Sequence, residues 1–181
     1  MKILSLNIGE RTEVQWKGKT YATGIFKSKV EGPLFLDLED VENDVVIDRK
    51  HHGGIEQAVY AYGYNHYAYW RSLYPSLQLD FGYMGENLTV SELEETKIHV
   101  GDIYKLGNAV VQVTKPRQPC FKLGIRFNDQ SIIKQFWNTT KSGVYFRILE
   151  TGIIATGDDF VLIEKSTNSP SIADVFTSKR A

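Results

Sequence analysis

The residues best equipped for chemistry stand in one short run, Thr114-Lys115-Pro116-Arg117-Gln118-Pro119-Cys120-Phe121-Lys122-Leu123, which carries the chain's single cysteine. Pro116 and Pro119 each fix φ and remove an N–H, so the run reads as a stiff elbow rather than the middle of a sheet. Pro119 suits the first turn of a short helix over 121–125, which places Cys120 near a helix N-terminus with Lys115, Arg117 and Lys122 close in sequence. A helix end and several cations favour thiolate over thiol, and a thiolate serves as a soft metal ligand or a nucleophile. A lone cysteine is more often a small buried hydrophobe, and the Pro-Arg-Gln-Pro-Cys setting argues against that plainer reading.

A second run, residues 48–54, holds Asp48, Arg49, Lys50, His51, His52, Gly53 and Gly54. Adjacent glycines let the backbone take positive φ and turn N–H groups toward an anion, with Arg49 or Lys50 adding charge. Alternation sends one of His51 and His52 toward the core and the other away, and an imidazole is a proton donor near neutral pH. Asn87, in Gly85-Glu86-Asn87-Leu88, offers an amide that donates and accepts together, suited to a heterocycle edge or equally to capping its own turn. Over 143–149, Tyr145 and Arg147 share one strand face, where they flank a ligand anion or form an exterior pair.

The elements that must position these groups are mostly strands. An alternating run over 3–8 closes at Gly9, and Val14, Trp16 and Tyr21 flank Lys17-Gly18-Lys19 as a hairpin does. Further strands are expected over 34–36, 45–47, 100–106, 109–114 and 143–149, and the run 86–90 reads as a loop feeding a strand. Two Gly-Asp turns, at Gly101-Asp102 and Gly157-Asp158, each open an alternating strand. Helical spacing appears at His66, Tyr67, Trp70, Leu73 and Tyr74, and again at Ile132, Ile133, Phe136 and Trp137 after Asp129. With eight to ten short strands and two or three short helices, the chain reads as mainly β, a small β-barrel with helices over its openings. One domain over 1–165 is expected, followed by a loose, Ser- and Thr-rich tail over 166–181 with at most one helical turn.

Composition narrows the function classes. There are 21 basic and 22 acidic residues in 181, spread along the chain, so no nucleic-acid footprint is present. No apolar run approaches a membrane span, and a lone cysteine excludes an internal disulfide, so a cytoplasmic protein is expected. No Gly-x-Gly-x-x-Gly or phosphate-loop lysine motif supports a dinucleotide fold.

Several motifs occur in order: Asp48-x-x-x-His52-Gly53-Gly54, Ala58-Val59-Tyr60, Gly85-Glu86-Asn87-Leu88, Gly101-Asp102, Pro116-Arg117-x-Pro119-Cys120 and Gly143-x-Tyr145-x-Arg147-Ile148-Leu149. Together they resemble the MOSC domain, the C-terminal domain of molybdenum cofactor sulfurases, in its small stand-alone bacterial YiiM-like branch, over about residues 1–165. The resemblance implies a barrel like the one inserted in pyruvate kinase, with a cleft for a molybdopterin cofactor whose metal is bound by Cys120. It implies cofactor contacts from Arg117, His52, Gly53 and Gly54, to which Asn87, Tyr145 and Arg147 are added from the residue reading. Members commonly carry a lysine after the Gly-Gly pair, where this chain has Glu56-Gln57.

The activity so implied is molybdenum-dependent reduction of N-hydroxylated or N-oxide compounds, with Cys120, His51 and His52 as catalytic residues. A small-molecule substrate and an electron-donor redox protein are the expected partners, with no nucleic acid and no membrane. A second reading is a non-catalytic carrier of the cofactor, or of sulfur on Cys120. A third is zinc on Cys120, His51 and His52, or a Cys–His thiol hydrolase, disfavoured because adjacent histidines rarely ligate one metal together.

Overall fold

The computed structural model describes residues 1–47 and 53–180. The candidate residues Asp48, Arg49, Lys50, His51 and His52 therefore lie outside the described residues. Twelve strands form among the rest: β1 (Ile3–Gly9), β2 (Thr12–Trp16), β3 (Lys19–Thr23), β4 (Lys27–Lys29), β5 (Leu34–Leu36), β6 (Val59–Gly63), β7 (Leu88–Val90), β8 (Ile103–Leu106), β9 (Ala109–Pro116), β10 (Val144–Glu150), β11 (Gly152–Ile154) and β12 (Phe160–Glu164). Eight of them make one mixed sheet in the order β12-β8-β9-β10-β6-β7-β1-β4, antiparallel except for the β6–β7 pair. A parallel pair needs a crossover, and here it carries the helix α1 (Tyr67–Leu73).

The expected closed barrel is instead an open sheet, because β12 and β4 end the strand order. One isolated bridge, Lys2 to Asp159, brings the start of the chain beside the lead-in to β12. Two backbone hydrogen bonds flank it, from Ile3 N to Asp158 O and from Phe160 N to Met1 O, both 2.9 Å. Pairing stops there, since β1 meets that segment only at its first residues.

Local sequence explains the connections that were expected. The β2–β3 hairpin turns on Lys17 and Gly18, both at positive φ (49° and 72°), the two-residue turn whose twist matches antiparallel strands. The two strands opened by Gly-Asp turns, β8 and β12, pair with each other. Asp102 is fully buried in its turn, accepting from His99 N (2.9 Å), Ser166 N (2.9 Å) and Lys165 Nζ (2.8 Å).

The central strands β6 and β10 are covered on both faces, which divides the core in two. Val59 and Ala61, with Val144, Phe146 and Ile148, face the aliphatic interior of the sheet. Tyr60, Tyr62 and Tyr145 point the other way, into an aromatic cluster beneath the helices. There the Trp70 ring stacks on Phe136 at 5.8 Å and donates from Nε1 to Tyr62 OH at 2.6 Å. The helices α2 (Phe121–Arg126) and α3 (Ser131–Trp137) close this side.

Two expectations are corrected. The apolar run Val45-Val46-Ile47 forms no strand. Gly24 approaches it so closely that a β-carbon there would lie 1.9 Å from Val45 O, and Val45 N donates to Gly9 O instead of to a ladder. The tail is not loose: Ser171 and Asp174 form a capping box that starts α4 (Ile172–Ser178) and buries Ile172, Ala173 and Phe176. Phe176 stacks on Trp137 at 4.6 Å and meets Phe136 edge-on at 5.9 Å. A seven-residue helix is marginal alone, so these tertiary contacts, invisible in the local pattern, decide its formation. The described residues thus hold four α-helices rather than two or three.

Candidate functional site

β9 delivers the chain to the elbow, with Pro116 opposite Val144 at the end of the ladder. Cys120 then takes extended backbone (φ −127°, ψ 167°) as the N-cap of α2, and its carbonyl accepts from Leu123 N at 2.9 Å. The sulfur-bearing residue therefore sits at a helix start, half-buried, as its sequence setting implies.

Cys120, Arg117 and Lys122 line one wall of a cleft whose floor is Tyr60 and Tyr145. The opposite wall comes from 23–25 with Lys27, and from Asp44 through Ile47; Gln57, Ala58, Gly85 and Asn87 complete the lining. Lys115, the remaining cation of the elbow, is not part of it.

Arg117 is the centre of this arrangement. Only 5% of it is exposed, its Nη1 donates to Met84 O, and its guanidinium lies 5.1 Å from the Tyr60 ring centroid. Burial works against its charge, and hydrogen bonding to Tyr60 and the nearby Cys120 sulfur offset that penalty, so Arg117 stays a guanidinium cation. The described residues supply it with no carboxylate partner. A buried guanidinium that faces a cleft and has no carboxylate partner among the described residues is a ready anion site. Burial pushes the Tyr60 and Tyr145 hydroxyls up, so both present neutral phenols, 5.0 Å apart between ring centroids.

A group that sequence reasoning missed faces this wall. Lys27 Nζ is clamped by both oxygens of Asp44, with 8% and 4% of the two side chains exposed. Burial lowers the Lys27 pKa, against the attraction of Asp44. Asp44 also accepts from Gly9 N and from Asn87 Nδ2, both at 2.8 Å. Seventeen residues separate lysine from aspartate, and Lys27-Ser28-Lys29 reads locally as solvated charge, so no sequence signal marks the pair.

The other expected site residues divide. Asn87 lines the cleft, but its amide is engaged within the protein: Oδ1 accepts from Tyr60 N at 3.2 Å while Nδ2 holds Asp44. Gly54 has φ 83° and caps the 3-10 turn Ile55–Gln57, so Gly53 and Gly54 lead into the lining at Gln57 rather than forming it. Arg147 is not among the residues lining the cleft; it pairs with Glu56 at 2.7 Å, next to the lining residue Gln57. Behind Asn87, Glu86 is fully buried, accepting from Tyr67 OH (2.5 Å), Thr89 Oγ1 (2.7 Å) and Gly82 N (3.0 Å). Burial raises its pKa.

The cleft fits a pterin-type molybdenum cofactor in chemistry and only partly in size. It offers one soft sulfur ligand, a buried guanidinium for phosphate and an aromatic floor; among the described residues that guanidinium has no carboxylate partner, and no three His, Cys, Asp or Glu side chains gather as a competing metal site. Its cavity is about 90 Å³, smaller than the few hundred typical of a fully enclosing site, so it takes one end of such a ligand and leaves the rest at the mouth.

Among the described residues no helix is long and apolar enough to cross a membrane. Residues 48–161 match the family model described as MOSC domain. The chain is 36% identical over 170 residues to the uncharacterized protein YflK of Bacillus subtilis, covering 94% of this chain and 76% of that protein. It is 36% identical to a protein named Reductase from Gibberella moniliformis, but spans only 28% of its length, and 32% identical to protein YiiM of Escherichia coli, spanning 65%. The crystal structure of YiiM from Geobacillus stearothermophilus superposes with a TM-score of 0.79 at 34% identity, over 97% of this chain and 81% of that one. The elbow cysteine, the cleft and the sheet order thus come with a sequence kinship over most of the chain, and the protein belongs to the MOSC domain family, in its YiiM-like branch.

Proposed function

We propose that the cleft holds a molybdenum cofactor with Cys120 as the protein ligand to the metal, and that the protein reduces N-hydroxylated or N-oxide compounds there. MOSC domains are associated with this cofactor. The observation that carries the proposal is the buried Arg117, without a carboxylate partner among the described residues, on the same wall as Cys120. The relative named Reductase supports the reaction class.

When bound, the cofactor supplies two-electron oxygen-atom chemistry at molybdenum. The protein's own residues have simpler tasks. Cys120 tethers the metal, Arg117 binds the phosphate, and Tyr60 and Tyr145 give the ligand a neutral, largely apolar floor. The clamped Lys27–Asp44 pair holds the opposite wall at a fixed distance. Reducing a hydroxylamine to an amine consumes two electrons and two protons and releases water; a redox protein donates the electrons, and His51 or His52 delivers a proton. We place the protein in the cytoplasm, where a lone thiol stays reduced.

A carrier role is the second reading, favoured by the small, open cleft, which leaves most of a bound cofactor accessible for transfer. The test is molybdenum and pterin analysis of protein purified from a cofactor-competent host, with Cys120→Ser alongside. Near-stoichiometric molybdenum and pterin, with molybdenum lost from the variant, is the expected result. Absence of both from the wild type overturns the proposal. Sustained hydroxylamine reduction with an electron donor then separates enzyme from carrier.

A further inference from the structure

A second and larger cavity, about 600 Å³, shares Lys27 with the cleft and opens between β4 and α1. Its volume is that of a small-molecule site. Lys27, Lys29, Arg71 and Arg126 line it, with Asp80 as the only acid among the described lining residues, itself held by Gln78 Nε2 at 3.1 Å. Two of the four cations have partners: Lys27 has Asp44, and Lys29 has Glu31 at 2.8 Å. Among the described residues neither guanidinium has a carboxylate within ion-pair distance, although the buried Glu86 attracts Arg126 from behind.

Both arginines are nonetheless held in place. Arg71 lies 5.1 Å and 5.3 Å from the centroids of the Tyr64 and Tyr67 rings and donates to Leu79 O at 2.9 Å. Arg126 lies 4.6 Å from the Tyr83 ring and donates to Ile25 O and Lys27 O, while its Nε is buried with no partner. Aromatic rings from Tyr64, Phe81 and Tyr83 provide the remaining surface, Tyr64 and Phe81 meeting edge-on at 5.2 Å. Two preorganised guanidiniums recognise phosphate, and aromatic walls recognise a planar ring. We propose that this cavity binds a mononucleotide, a planar heteroaromatic ring joined to one phosphate.

The site is independent of cofactor binding at Cys120, so each proposal fails separately. The test is calorimetric titration of the full chain with AMP, GMP, CMP and UMP, and with adenosine, ribose 5-phosphate and inorganic phosphate as controls. At least one mononucleotide is expected to bind one-to-one, about tenfold or more tighter than inorganic phosphate or the bare nucleoside, since each half of the ligand has its own recognition. Lys29→Glu, at an exposed edge position, and Arg71→Gln are each expected to weaken binding by roughly tenfold while circular dichroism stays native. Cys120→Ser is expected to leave it unchanged. Failure of all four nucleotides to saturate, equal binding by inorganic phosphate or nucleoside, unaltered affinity in both variants, or loss in Cys120→Ser each overturns the assignment.

Discussion

Replacing Asp44 by asparagine removes the carboxylate that clamps Lys27, whose side chain is only 8% exposed. Breaking a buried ion pair from one side costs about 3–5 kcal/mol, because the remaining charge stays buried and unpaired. Lys27 has one escape, which sets a ceiling. It can release its proton, and from an ordinary lysine value of about 10.4 that costs about 4.6 kcal/mol at pH 7 and about 1.9 kcal/mol at pH 9. The Asp44→Asn penalty should therefore fall from about 3–4.6 kcal/mol at pH 7 to no more than about 1.9 kcal/mol at pH 9. In the variant the folded pKa of Lys27 lies below the unfolded one, so the unfolded chain binds more protons and stability rises with pH until the unfolded pKa is passed. Wild-type Lys27 is already lowered by burial, so its own curve rises in the same direction but less, Asp44 holding the proton on. Urea denaturation at pH 7 and pH 9 reads the effect, and the pH 7 loss corresponds to a drop in Tm of roughly 6–20 °C for a chain of this size. Adding Lys27→Met to Asp44→Leu should recover more than half of the single-variant loss, the remainder coming from the orphaned Gly9 N–H and Asn87 amide. A penalty that is the same at both pH values, or additive losses in the double variant, would refute this account of the pair.

The other buried groups give further tests. Phe176→Ala should cost about 3–5 kcal/mol and loosen the aromatic cluster, seen as lost near-ultraviolet circular dichroism, because its ring is fully buried between Phe136 and Trp137. A change below one kilocalorie would mean that α4 is not docked. Glu86 has its folded pKa raised by burial, so it binds its proton more tightly folded than unfolded, and its contribution to stability falls as pH rises above about 4.3, the unfolded value. Glu86→Gln keeps an acceptor for Tyr67 and Gly82, and should flatten the stability profile on that alkaline side; a steeper profile would show the carboxylate to be stabilising.

Elements with a local cause were legible in the sequence. Lys17-Gly18 dictates its hairpin, and Pro119 with Cys120 announces the helix start that exposes the thiol. The fate of Val45-Val46-Ile47 was not legible, because an apolar run of three looks like a strand whether it meets a ladder or, as here, the bare backbone of Gly24. Tyr145 and Arg147 illustrate the same limit. Their shared parity is real, yet Tyr145 lines the cleft while Glu56, 91 positions away in sequence, takes Arg147. Lys27 and Asp44 carry no local mark at all, since what makes them a pair is burial by segments distant from both.

The meeting of the chain's beginning with the lead-in to β12 governs how the fold can be reached. Lys2 and Asp159 are 157 positions apart, and β7, which pairs with the opposite edge of Ile3–Leu6, follows β1 by some eighty residues. Contacts of such long range must close large loops before they contribute anything, which slows folding. During synthesis β1 emerges before its partners: β4 can cover Asn7–Gly9 some twenty residues later, but Ile3–Leu6 wait for β7 until about half of these residues have been made. The run of Ile3, Leu4 and Leu6 is thus the stretch most exposed to mispairing during synthesis, and the interval before β7 appears is when a chaperone would matter most.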